Sequence, residues 1–343
     1  MIFVYHYKDL LFNSNESFFY NIISQFHIAV SGFFVLSGFL ISHNYFISNN
    51  NKMKLINFYL LRFIRIFPVF FILSTLTYTV HSFQLPLDFK LSIEETELFL
   101  PYLFRIYLLD ITFLKNLIPE FFKHGIVQGW SLSVEFYFYL ISPLLFYKGK
   151  PRFFFLLSFI FLGVFLINNN YVNSHIMDIQ YFFWYTIFGR VFEFFLGGIL
   201  AYFYYNNKIK SNYDTTLLSL LIIFLFIVFL IYYPQYSILI NNFLLPLFGI
   251  SFFLYSIIYY KSQITNLLSS NFFILLGKSS FIFYLIHLGV FADFTIKSLS
   301  FLKISNDYLI FLFLFIIISC LSICIYKIIE KPIYNFFRKL ILY

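Results

Sequence analysis

Charge is what this sequence has least of. Asp, Glu, Lys and Arg together make up 11% of its 343 residues, where an average soluble domain carries about a quarter. So few charges cannot cover a water-facing surface, and disorder is excluded because it needs low hydrophobicity and high net charge. Cysteine is nearly absent, with only Cys320 and Cys324 present. They stand four apart in one apolar run, on one helix face, with no second pair. That excludes a disulfide framework and a structural zinc site, and leaves them as small core residues. No His/Cys/Asp cluster has ligand spacing, so no metal is expected. The opening MIFVYHY has neither a basic segment nor a small-residue cleavage site and does not read as a signal peptide.

What is present is apolar and aromatic. Hydrophobic residues make up 61% of the chain, with 56 Phe and 29 Tyr, and mean hydropathy is +0.84. This is the composition of an integral membrane protein, not of a soluble Rossmann or barrel enzyme. The formal net charge of +8 does not point to nucleic acid, because in a membrane protein the placement of charge matters more than its sum.

A transmembrane helix needs roughly 20 mainly apolar residues. Runs of that kind lie near 29–47, 57–80, 130–147, 153–168, 180–205, 215–233, 237–260, 271–291 and 308–327. A stub at 1–8 precedes them. The stretch 98–114 is hydrophobic but carries Arg105 and Asp110, and reads as a helix lying on or dipping into the outer face. With the stub taken as the end of a first helix that begins upstream, the chain is predicted to be all-α. It would be a polytopic membrane protein of about ten transmembrane helices, forming one membrane-embedded domain over 1–343.

Basic residues orient the stack. One set of loops holds Lys52, Lys54, Lys148, Lys150, Arg152, Lys208, Lys210 and Lys261, and the tail adds Lys327, Lys331, Arg338 and Lys339. Arg62 and Arg65 stand at the edge of their span, which brings that side to fourteen of the 23 Lys and Arg. The opposite loops hold seven, namely Lys8, Lys90, Arg105, Lys115, Lys123, Lys297 and Lys303, and carry eleven of the 15 acids, among them Glu94, Glu95 and Glu97. The positive-inside rule makes the first set cytoplasmic and puts both termini there, in a multi-pass protein of the cell inner (plasma) membrane.

A charge at mid-bilayer costs roughly 2.5–3.5 kcal/mol, so ionisable residues inside spans are functional candidates. Arg62 and Arg65 lie at the cytoplasmic end of FYLLRFIRIFPVF, and Arg190 and Glu193 lie in GRVFEFFLGGILAY at a spacing that lets them pair. Glu135 falls in GWSLSVEFYFYLISPLLFY, His287 toward the outer end of GKSSFIFYLIHLGVF, and His6 in the stub. Stacked in depth, these could line a polar track across the membrane. Each also has a plainer reading. The arginines could be positive-inside anchors, Arg190 and Glu193 a structural pair, and Trp130 an interfacial belt residue. His27, His43 and His287 could be satisfied core histidines, whereas Glu135 would need a cation that the sequence does not show. His81, His124 and His175 carry no signal.

Several segments in order resemble the acyltransferase 3 family of membrane-bound bacterial acyltransferases. They are Val4-Tyr5-His6-Tyr7, the run from Gly32 to Ile41 (GFFVLSGFLI), and Arg62-Phe63-Ile64-Arg65 followed by Pro68. Next come Trp130-Ser131-Leu132-Ser133-Val134-Glu135, Arg190-Val191-Phe192-Glu193 with Gly197-Gly198, Ser279-Ser280 leading to Tyr284-Leu285-Ile286-His287, and Glu330-Lys331-Pro332. The resemblance runs from about residue 1 to 340, in stand-alone form. It implies transfer of an acyl group, commonly acetyl, from cytoplasmic acyl-CoA to a hydroxyl of a glycan or lipid-linked saccharide, with membrane lipids as surroundings and no nucleic acid partner. His6 corresponds to the family's first-helix histidine, Arg62 and Arg65 to its RxxR pair, and Glu135 to its WSL-E glutamate. His6 and Glu135 are then expected to be catalytic, and Arg62 and Arg65 to bind the donor. Trp130, Arg190, Glu193, Tyr284 and His287 would form a substrate or structural polar track.

The sequence departs from that pattern in two places. The arginine usual about ten residues before the histidine would precede Met1, and Ser31 replaces the acid common before the FFVLSGF run. The readings left open are therefore a polytopic transporter or flippase, or a catalytically impaired paralogue. No convincing internal repeat supports the transporter.

Overall fold

The structure, a computed structural model, describes residues 1–12, 17–47, 54–88, 93–118, 121, 125–146, 150–168, 179–206, 214–260 and 262–342. Lys52, Lys90, Lys123, Lys148, Lys208, Lys210, Lys261, His124 and His175 lie outside these residues, as do the side chains of Glu94, Glu95 and Glu97.

In chain order the helices begin with α1 (Ile2–His6), α2 (Phe18–Ser24) and α3 (Ala29–Ile41), the last running into a π-helical stretch Ser42–Ile47. The long α4 (Leu55–Asp88), α5 (Ile93–Ile111), α6 (Gly129–Leu145) and α7 (Phe153–Asn168) follow. Then come α8 (Ile179–Tyr185), α9 (Ile187–Tyr205) and α10 (Thr216–Tyr232). A one-turn α11 (Ser237–Leu239) leads through a π-helical stretch Ile240–Ile250 into α12 (Ser251–Tyr259). The chain continues through α13 (Gln263–Leu268), α14 (Asn271–Ile286), α15 (Val290–Phe301), α16 (Asp307–Ile325), a π-turn Tyr326–Glu330 and α17 (Lys331–Leu342).

Every apolar run read from the sequence falls on helix. Five segments among the described residues are long and apolar enough to cross a membrane: Phe18–Ile47, Leu55–Phe83, Ile179–Tyr205, Pro234–Tyr259 and Asp307–Leu342. The bent pair α14–α15 makes a sixth if taken as one span, and Phe153–Gly163 and Thr216–Tyr232 are shorter apolar helices. Helices satisfy their own backbone groups, as a bilayer requires. The protein is an all-α polytopic membrane protein.

Two runs are not the continuous helices expected. The run 180–205 breaks at Thr186, whose backbone is extended (φ −107°, ψ 159°). The run 271–291 turns by 84° between Ile286 and Val290. There Gly289 adopts φ +75°, a conformation that glycine takes without strain. His287 thus sits at a helix break and not near the end of a straight span.

The chain divides into two compact units, one of residues 1–55 and 134–273, the other of residues 56–133 and 274–343. In the first, α3 lies directly on α9 because both present glycine at the contact. A Cβ at Gly38 would overlap the backbone of Phe194, and one at Gly197 would overlap that of Val35. Small residues allow such close approach, which is how helices associate where no hydrophobic effect separates lipid from protein. Phenylalanines fill the rest of this contact. Phe138 stacks on Phe194 with centroids 4.6 Å apart and meets Phe34 edge-on at 5.2 Å, and all three are fully buried.

The second unit is held by polar contacts between α4 and α5. Tyr78 donates to Asp110 at 2.6 Å, and Thr75 and Tyr107 share a hydrogen bond at 2.9 Å. Lys115, beyond the end of α5, pairs with Asp110 at 2.5 Å and donates to the Ile126 carbonyl at 2.9 Å, with both charges buried. Burial pushes the Asp110 carboxyl above its ordinary range, and the Lys115 ammonium opposes that shift.

Gly38→Ala should lower the thermal unfolding temperature in detergent, by an overpacking penalty of about 1–3 kcal/mol. Gly277→Ala, in a helix where a Cβ meets nothing, should raise it slightly, because alanine favours helix over glycine by about 1 kcal/mol. Equal effects of the two changes would contradict the close α3–α9 contact.

Candidate functional site

The two helix breaks set the polar geometry of the units. A helix end leaves carbonyls without intrahelical partners, and inside a bilayer no water can meet them. At the Thr186 break the end of α8 exposes the carbonyls of Phe183 and Trp184. Asn242 donates its side-chain amide to Phe183 at 2.5 Å and to Gly189 at 3.2 Å. Arg190 donates Nε to the Trp184 carbonyl at 2.9 Å.

The other guanidinium edge carries charge to charge. Arg190 Nη1 donates to Glu193 Oε1 at 2.7 Å and to Ser31 Oγ at 3.2 Å, with Arg190 3% and Glu193 0% exposed. The expected pair is therefore formed, in the first two turns of α9. Ser31, the position where an acid was expected, is one of its partners. The same guanidinium lies over Trp184 at 5.4 Å, and Trp184 packs against the His27 ring at 4.8 Å. His27 meets Tyr5 at 5.6 Å, and Tyr5 meets His6 at 4.9 Å. A chain of rings thus links α1 to the buried pair, with the His6 side chain exposed at its end.

Glu135, in the same unit, is held by hydroxyls and not only through a cation as the sequence suggested. Tyr139 donates to Oε1 in a short hydrogen bond, and Ser37 donates to the same oxygen at 3.3 Å. The Tyr139 contact follows from the i, i+4 spacing on α6, and the Ser37 contact ties α3 to α6.

In the other unit the break after α14 is closed in the same way as the first. Gln128 donates its amide to the carbonyls of Leu285 at 2.5 Å and Leu288 at 3.5 Å. Ser131 donates to the Tyr284 hydroxyl at 2.9 Å, and Asn116 donates to the Trp130 carbonyl at 2.6 Å. The start of the Trp130 motif and the Tyr284–His287 motif are thereby tied together, through Ser131 of the motif and through Gln128, which the sequence reading did not single out. His287 is fully buried. Its Nδ1 lies 2.7 Å from the Tyr284 carbonyl, which can only accept, so Nδ1 carries the proton. It stacks on Phe283 with ring planes 4° apart.

Arg62 and Arg65 also belong to this unit, three residues apart on α4. Arg62 is 8% exposed and Arg65 is exposed. Glu330, in the Glu330-Lys331-Pro332 segment, is buried and lies within electrostatic reach of Arg65. Among the described residues no group of three or more His, Cys, Asp or Glu could hold a metal ion.

Breaking the Arg190–Glu193 pair should be costly. Arg190→Met or Glu193→Gln should each destabilise by about 3–5 kcal/mol, because a buried charge loses its partner. The double change Arg190→Met/Glu193→Leu should recover much of that loss. Additive losses in thermal unfolding would contradict a direct buried pair.

No curated protein and no solved structure matches the chain. Residues 1–327 match the family described as acyltransferase domain. That match covers nearly all of the chain and includes His6, Arg62, Arg65, Glu135, Arg190, Glu193 and His287, so the protein belongs to the acyltransferase 3 family and is a membrane acyltransferase.

Proposed function

We propose that the protein moves an acyl group, acetyl in the first instance, from cytoplasmic acyl-CoA to a hydroxyl of a cell-surface or secreted glycan or its lipid-linked precursor. We place it in the inner membrane with both termini cytoplasmic, on the strength of the basic-residue asymmetry. The observation that carries the reading is the family match over a chain that keeps an RxxR pair on one helix face together with a reachable histidine.

CoA is anionic through its phosphates, and guanidinium groups bind phosphate with two parallel hydrogen bonds. Arg62 and Arg65 are assigned that role. Arg62 is buried, and Glu330 lies within electrostatic reach of Arg65. His6 is assigned as general base. Its imidazole takes the proton from the acceptor hydroxyl as that oxygen attacks the thioester carbonyl. The new C–O bond forms, the C–S bond breaks, and the proton passes to the departing CoA thiolate. Glu135, anchored by Tyr139 and Ser37, supplies a fixed negative charge that would stabilise a transient imidazolium.

Steady-state release of the CoA thiol from acetyl-CoA, in membranes containing the protein, tests these roles. His6→Ala should lower kcat by about 10²–10⁴-fold while leaving acyl-CoA binding intact. Arg62→Ala should raise KM for acyl-CoA by roughly ten- to a hundredfold, the worth of a hydrogen bond between charged groups. A folded protein that binds no acyl-CoA would support the transporter or the impaired paralogue instead.

A further inference from the structure

The most amphipathic helix in the protein is one to which neither the fold nor the proposed reaction gives a task. Projected at 100° per residue, Lys331, Arg338 and Lys339 share one arc of α17, with Asn335 between them, and Phe336, Phe337 and Leu340 share the opposite one. The helix buries none of its residues fully. Phe336 is 62% and Leu340 65% exposed. Residues 331–342 contain three cations and no acid.

Its position follows from the span before it. Asp307–Leu342 is 36 residues of helix, about 54 Å at 1.5 Å per residue. The hydrocarbon core is only about 30 Å thick, which some twenty residues cross. Starting from Asp307, the span is complete near Tyr326, and α17 begins at headgroup depth. Two features at which helices commonly bend stand at that point, the π-turn Tyr326–Glu330 and Pro332. An exposed arc of Phe and Leu is unfavourable in water. In the interfacial plane the same arc enters the acyl-chain boundary while the basic arc meets the headgroups.

We infer that α17 is an interfacial anchor whose Lys331, Arg338 and Lys339 bind the phosphates of anionic phospholipids while Phe336, Phe337 and Leu340 insert beside their acyl chains. The occupant is lipid because α17 follows a span that carries exposed apolar side chains. Leu309, Leu312, Phe313, Phe315 and Ile316 of α16 are all exposed. Three cations with no acid among them complement an anionic surface.

The test uses the full chain reconstituted in vesicles. A nitroxide is attached at Leu340→Cys, with Cys320→Ser and Cys324→Ser removing the two free cysteines, which are exposed on α16 and not in the core as the sequence suggested. Collision with oxygen reports the acyl region, and collision with a water-soluble nickel chelate reports the aqueous phase. In vesicles rich in phosphatidylglycerol the label should be oxygen-accessible and shielded from nickel. In phosphatidylcholine alone, or with Lys331→Gln, Arg338→Gln and Lys339→Gln, nickel access should rise. The partition between surface and water should shift by roughly fivefold per charge removed. The triple variant should keep the same unfolding temperature in detergent, since these side chains are exposed. A nickel-accessible label in phosphatidylglycerol would overturn the proposal. So would equal shielding in phosphatidylcholine and in the triple variant, because protein or a second copy would then cover the helix.

Discussion

Inside a bilayer a backbone carbonyl without a partner costs several kcal/mol, and this protein breaks two of its membrane helices. The polar contacts around Thr186 and beyond Ile286 follow from how those breaks are closed. Asn242 and Arg190 meet the carbonyls freed at Thr186, and Gln128 meets those freed beyond Ile286. A long polar side chain from a segment packed nearby substitutes for water at each break. Arg190 brings a charge to do this, and the fully buried Glu193 compensates that charge. The buried pair is thus a consequence of the broken helix, and the ring chain through Trp184 and His27 rests on it.

A membrane acyltransferase must keep a few ionisable groups in surroundings that penalise them. The structure shows two ways of doing so. Glu135 accepts from the hydroxyls of Tyr139 and Ser37. Asp110 and Glu193 are kept by cations at hydrogen-bonding distance. The Trp130 motif gains its place through backbone and hydroxyl contacts, with Asn116 and Ser131 on either side of it.

The helices were legible because long apolar runs admit few other structures in lipid. α3, α4, α9 and α16 therefore lie where hydropathy put them. The Arg190–Glu193 pair was legible from its spacing of three. The breaks were not, because an extended threonine at 186 and a positive φ at Gly289 leave no mark on an apolar run. The roles of Gln128, Ser131 and Asn242 were hidden for the same reason, since each answers a break that only the folded backbone reveals. Glycines 38 and 197 stood in the sequence inside recognised motifs, but their function as contact points needed α3 and α9 to be seen side by side. The Tyr139 hydroxyl on Glu135 follows from a spacing of four on α6, which the sequence already offered.

The central claim is that an acyl group given as acyl-CoA on the cytoplasmic face ends on a hydroxyl on the other side. Inside-out membrane vesicles carrying the protein would receive acetyl-CoA labelled in its acyl group, and an esterase would then be added outside. The account predicts label bound to glycan within the vesicles, resistant to the esterase until the membrane is opened. Label that the esterase removes from sealed vesicles, or CoA that is never released, would contradict it.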